Sequence, residues 1–133
     1  MRPDASGGAS SADVISAVEW ALADFLAGEV AALVAVDRAL GAFARTARDS
    51  VLAGGKRVRP TFAYWGWRGL VGPHEPVAPL VPALAALELL HAFALVHDDV
   101  MDGSDTRRGR PTVHRRLAAQ HTAAGRGGDP DRF

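Results

Sequence analysis

Residues 87–102 read LELLHAFALVHDDVMD, and this stretch decides the fold. It is apolar without strand alternation, and it sits in a run from Val77 to Asp102 that Gly103 stops. The run predicts one long helix. At about 100° per residue, Glu88, His91, Leu95, Asp98, Asp99 and Asp102 fall within an arc of about 100°. The helix therefore carries one polar stripe, ending in three aspartates. Asp98 and Asp102 are four residues apart, so their carboxylates share a face on neighbouring turns. Oxygen-only donors suit a hard cation, Mg²⁺ before Zn²⁺. The cluster also stands at the C-terminal end, where the helix dipole disfavours anions, so a cationic partner is expected. The plain alternative is a solvated face.

Cations flank the helix in the chain. Downstream come Arg107, Arg108 and Arg110. A carboxylate cluster beside an arginine cluster makes either a salt-bridge network or a magnesium-diphosphate site, in which arginines grip phosphate oxygens bidentately. Upstream lies GGKRVRP, residues 54–60. Two glycines permit close backbone approach and a helix N-terminus follows, which makes a second candidate anion site. It is not a Walker A loop, because Ser50 stands at the first glycine position and Arg57 follows the lysine. Of the 15 basic residues 14 are arginine, so the single lysine, Lys56, points to a chemical role.

The rest of the chain reads as helices. Val14, Val18, Leu22 and Phe25 define a first, with Asp13 as its N-cap. Leu33, Val36, Leu40, Phe43, Ala47 and Val51 define a second, from about Glu29 to the Gly54-Gly55 stop. Pro60 opens a third, which carries Phe62, Tyr64, Trp65 and Trp67 and ends near Gly69. Thr112 to Ala123 is a fifth. No β-alternation of useful length appears, so the class is all-α, with residues 1–12 a loose tail and 13–133 one domain portion. Tyr64, Trp65 and Trp67 read as core or interface, Glu88 as a buried partner for an arginine, His97 and His114 as structural hydrogen-bonding residues, and His74 and His121 as exposed.

The 133 residues balance 15 basic against 15 acidic side chains, which removes the electrostatic case for nucleic-acid binding. The absence of cysteine excludes disulfides, thiolate metal sites and a Cys nucleophile. Pro79, Pro82, Glu88 and His91 make Val77–Val96 a poor membrane span. The first residues lack the apolar centre of a signal peptide, so the expected location is cytoplasmic.

Taken in order, GGKRVRP, LELLHAFALVHDDVMD and GSDTRRGRPTVH resemble the trans-isoprenyl diphosphate synthases, the polyprenyl synthetase family, from about Val51 to His114. DDVMD looks like that family's first aspartate-rich motif. The resemblance implies the all-α isoprenoid synthase fold, here its N-terminal part of about five helices. It also implies Mg²⁺-dependent condensation of an allylic diphosphate with isopentenyl diphosphate, and a homodimer for the complete protein. By motif position, Asp98 and Asp102 would bind Mg²⁺, Asp99 would support them, and Arg107 would contact the allylic diphosphate. Lys56, Arg59, His91 and Arg108 would hold isopentenyl diphosphate, with Arg57 a further candidate. Phe93 and Ala94 would set product length, implying a farnesyl or geranylgeranyl product.

The family's second aspartate-rich motif has no counterpart here, since Asp129 and Asp131 lie in a Gly/Pro loop. The expectation is a truncated chain that is inactive alone. Two alternatives are a non-catalytic partner subunit of a complete synthase and a terpene cyclase. The GGKRVRP site argues against the cyclase, which uses no isopentenyl diphosphate. A phosphohydrolase built on His91, His97 and Asp98 leaves Lys56, Arg107 and Arg108 unexplained.

Overall fold

The computed structural model describes residues 9–130. Residues 1–8, most of the predicted tail, lie outside the described residues. The elements are α1 (Ser11–Val36), α2 (Leu40–Leu52), α3 (Val58–Val71), a single 3₁₀ turn (Ala78–Leu80), α4 (Val81–Met101), the strands β1 (Thr106–Arg107) and β2 (Arg110–Pro111), and α5 (Val113–Ala123). The chain is all-α, as the sequence predicts, apart from that minimal hairpin.

The N-terminal elements differ from expectation. α1 starts inside the predicted tail, and its N-cap is Ser10, not Asp13. The Ser10 hydroxyl accepts from the Asp13 N–H while the Asp13 carboxylate accepts from the Ser10 N–H, a reciprocal capping box. This hydrogen bonding holds the Asp13 carboxyl below its ordinary range. α1 then runs unbroken through Gly28, where a break was expected. One glycine in a 26-residue helix costs about 1 kcal/mol and does not end it. The real break is Asp37, whose carboxylate accepts the Ala39 N–H at 2.7 Å, a local turn that competes with helix.

α1 packs on α2 and α4, α3 packs on α4, and α5 closes against α2 and α4. Val14, Val18 and Leu22 of α1, Tyr64 of α3, and Leu84 and Ala85 of α4 form the buried core. Around it large apolar side chains stay exposed, including Trp20, Phe62, Leu70, Leu90, Phe93 and Met101. Phe25, Val36 and Phe43 were expected to face the core and are also exposed. Ala78–Met101 is long and apolar enough to cross a membrane, but its Glu88 and Asp99 are buried in ion pairs within the bundle.

Trp65 is half-exposed and donates to the Ser11 hydroxyl at 3.0 Å. Tyr64 is buried, and its hydroxyl donates to the Ala9 carbonyl. The Arg68 guanidinium stacks over Tyr64 and Trp67 and donates to the carbonyls of Gly72 and Glu75, which stops α3.

Candidate functional site

Three segments converge on one face of α4. The first is the turn from Gly54 to Arg57. Gly54 has φ +83°, a conformation that favours glycine. Arg57, the N-cap of α3, has φ +45° and also lies in the left-handed region. The second is α4 itself, presenting Glu88, His91, Leu95 and Asp99. The third is the hairpin. β1 and β2 pair antiparallel with Thr106 opposite Pro111 and Arg107 opposite Arg110. Its two-residue loop, Arg108 and Gly109, has positive φ at both positions, as a type I′ turn requires. That brings the Arg108 guanidinium to 3.1 Å from the Gly54 carbonyl, 54 residues away. The hairpin was missed in the sequence. A glycine at the second position of a two-residue connection was its signal.

These segments line an open cleft of about 1180 Å³. The six residues expected to hold substrate, Lys56, Arg57, Arg59, His91, Arg107 and Arg108, all line it. Neither Lys56 nor Arg59 pairs with a carboxylate among the described residues. Burial, then the Arg59 guanidinium, holds His91 below the usual histidine range, with Arg108 and Arg107 adding to this and Glu88 opposing it. Arg110 of the arginine cluster also lines the cleft, as do Arg116 and Asp49; sequence reasoning missed the last two because no local pattern marks them.

Arg57 lines the cleft but, unlike Lys56 and Arg59, is held by carboxylates of the protein. Its guanidinium is buried and donates to the Glu88 carboxylate at 2.7 Å, with Glu19 of α1 at 3.5 Å. The predicted buried partner of Glu88 is thus Arg57, and this guanidinium is taken up by protein carboxylates.

The acidic cluster divides. Asp99 is buried, and Arg107 forks onto it with contacts of 2.8–3.0 Å. Arg107 supplies the cation that three carboxylates at a helix C-terminus require, and its proton is held more tightly than usual by the hydrogen bond to Asp99 and by the charges of Asp98 and Asp102. Asp98 is exposed, with His97 Nδ1 at 3.9 Å. Asp102 caps α4 and is also exposed. No group of three potential ligands converges among the described residues. Two exposed carboxylates one turn apart still fit Mg²⁺, which keeps several waters and takes one or two protein carboxylates alongside substrate phosphates.

Phe93 and Ala94 lie outside the cleft on the exposed side of α4, with the Phe93 ring 6.1 Å from that of His97. His97 is exposed. His114 is half-buried, and its Nδ1 is sealed from solvent. His74 is exposed as expected, and His121 is half-buried instead.

The arrangement matches known proteins over the same residues. A family model described as Polyprenyl synthetase matches residues 42–126. A short chain isoprenyl diphosphate synthase of Methanocaldococcus jannaschii is 44% identical over 64 residues, covering 48% of this chain and 19% of the relative. Component 2 of the heptaprenyl diphosphate synthase of Geobacillus stearothermophilus is 39% identical over 98 residues, 70% of this chain and 30% of that one. A crystal structure of geranylgeranyl pyrophosphate synthase from Corynebacterium glutamicum, complexed with isoprenyl diphosphate and magnesium, superposes with a TM-score of 0.67. It is 38% identical, over 87% of this chain and 34% of that one. The chain spans about a fifth to a third of the length of these proteins.

Proposed function

Since the chain belongs to the polyprenyl synthetase family, we propose that it serves prenyl transfer from an allylic diphosphate to isopentenyl diphosphate, with Mg²⁺ and a farnesyl- or geranylgeranyl-length product. The observation that carries this reading is the cleft, where three segments far apart in sequence bring Lys56, Arg59, His91, Arg107 and Arg108 to one face of α4. A diphosphate is the anion that such a set suits. Lys56, Arg59 and Arg108 neutralise the isopentenyl diphosphate oxygens. Arg108 exchanges the Gly54 carbonyl for a charged acceptor, a stronger hydrogen bond. His91, mostly neutral near pH 7, contributes one N–H donor. Arg107 stands between the cleft and the acidic tip, so it takes the allylic diphosphate while Asp99 keeps its plane. Asp98 and Asp102 hold the metal, and Mg²⁺ bound there supplies charge stabilisation for a departing diphosphate. Ala94, one turn before Asp98, and its neighbour Phe93 meet the prenyl chain.

The 133 residues alone do not turn over in this reading, because they hold one aspartate-rich motif and the cleft stands open. The exposed Trp20, Phe62, Leu70 and Leu90 suit contact with further protein, a second copy in a homodimer first of all. The same surface favours a second reading, a non-catalytic partner subunit. Neither reading calls for nucleic acid or a membrane span, and both place the chain in the cytoplasm.

Calorimetric titration with isopentenyl diphosphate, then with an allylic diphosphate with and without Mg²⁺, tests the proposal. Both should bind, the second more tightly with Mg²⁺, with no product formed. Absence of any diphosphate binding overturns the reading. Prenyl product from the chain alone overturns the inactivity, and co-purification with a complete synthase favours the partner subunit.

A further inference from the structure

Arg57 lines the cleft together with Lys56, Val58 and Arg59, yet among these four it is the one whose side chain is buried and paired with a carboxylate. Its backbone lies in the left-handed region, φ +45° and ψ +39°, which a long L side chain rarely adopts and which surrounding contacts must hold. The guanidinium is fixed by Glu88 at 2.7 Å, with Glu19 of α1 also within reach. The Arg57 carbonyl accepts from the Thr61 N–H at 3.2 Å and from its hydroxyl at 2.8 Å, which starts α3. The strained turn is therefore held from three sides, and it sets the directions in which Lys56 and Arg59 leave the backbone.

We infer that Arg57 is a positioning residue: through its buried ion pair with Glu88 it holds the left-handed turn that aims Lys56 and Arg59 into the cleft opposite His91, and it does not itself bind the anion. This rests on the reading of the cleft as a diphosphate site. The pair also determines the field at His91, one turn beyond Glu88 on the same helix. With Arg57 present the Glu88 charge is partly matched, and its upward pull on His91 is outweighed by burial and by the charges of Arg59, Arg108 and Arg107.

The signs separate positioning from direct contact. Electrostatics alone says that Glu88→Gln, which removes a negative charge at the cleft wall and releases Arg57, strengthens anion binding. Positioning says that it weakens it. The experiment titrates inorganic diphosphate into the 133-residue chain and into Glu88→Gln, Glu88→Asp, Arg57→Gln and Arg57→Lys, with circular dichroism to follow the helices. At least tenfold weaker binding is expected for Glu88→Gln and Arg57→Gln, with partial recovery in Arg57→Lys and Glu88→Asp. Tighter binding in Glu88→Gln overturns the inference.

A second measurement needs no ligand and covers a variant that loses helix. The His91 ring titration followed by NMR should move upward in Arg57→Lys, whose shorter, unforked head holds Glu88 less well, and the Gly54 and Gly55 amide signals should shift with it. Unchanged titration and unchanged amide signals overturn the inference. If diphosphate fails to bind the parent chain, the functional reading falls, and this second measurement still decides the role of Arg57.

Discussion

Two arginines grip carboxylates of the same helix under different conditions. Arg57 and Glu88 are both about 6% exposed, a buried pair in the wall of the cleft. Arg107 meets Asp99 with Asp99 equally buried, but Arg107 itself is 40% exposed on a hairpin. The chemistry is the same, a guanidinium on a carboxylate, and the surroundings separate the roles. A charge pair cut off from water has no substitute partner, so it fixes structure. A pair with one member in water can exchange that member's contacts, so it is fit to meet a ligand.

The largest test of this contrast is Glu88→Ala. It leaves the Arg57 charge buried without its main partner, and a loss of about 3–5 kcal/mol is expected from urea unfolding. A loss below about 1 kcal/mol would mean that the two pairs do not differ, and the contrast would break. Arg107→Ala should cost about 1–2 kcal/mol, since water reaches Asp99 once the half-exposed guanidinium is gone. The same variant should weaken binding of an allylic diphosphate at least tenfold, which Glu88→Ala cannot report cleanly if it unfolds.

The pH dependence is smaller. The folded pKa of His91 lies below its unfolded value near 6.5, so the unfolded chain binds the proton more readily. Stability should fall as pH drops below about 6.5 until the folded pKa is passed, and should be level above it. An anion in the cleft raises that pKa, so diphosphate should bind more tightly over the same interval. His91→Gln should flatten both dependences, and identical profiles in parent and variant would remove His91 from the cleft's electrostatics. The smallest stability effect belongs to Asp98→Asn. This carboxylate is exposed, so a change within about 0.5 kcal/mol is expected, together with loss of the Mg²⁺-dependent part of allylic diphosphate binding.

Much of this was legible along the chain. The polar stripe of α4, the exposed carboxylates Asp98 and Asp102 one turn apart, the glycine turn and the arginine pair after the aspartates could be placed because helical periodicity and short spacing are local properties. The misplaced first helix break was also local. The second helix was expected to begin near Glu29, yet the single glycine before it, Gly28, costs less than a continuing 26-residue helix gains, while the Asp37 side chain offers the backbone an alternative partner. The hairpin escaped because two-residue strands leave no alternation to read.

The sequence by itself determined the helical class, the residues that carry charge, and the order in which the basic and acidic segments follow one another. Which arginine serves which carboxylate was decided only by the tertiary structure. Arg57 and Arg59 are two residues apart and chemically alike. One is buried on Glu88, 31 positions away, and the other is open to the cleft. That difference comes from a left-handed turn and from the packing of α1 and α4 around it. Pairing over such separations follows from how helices meet in space, which no local period encodes.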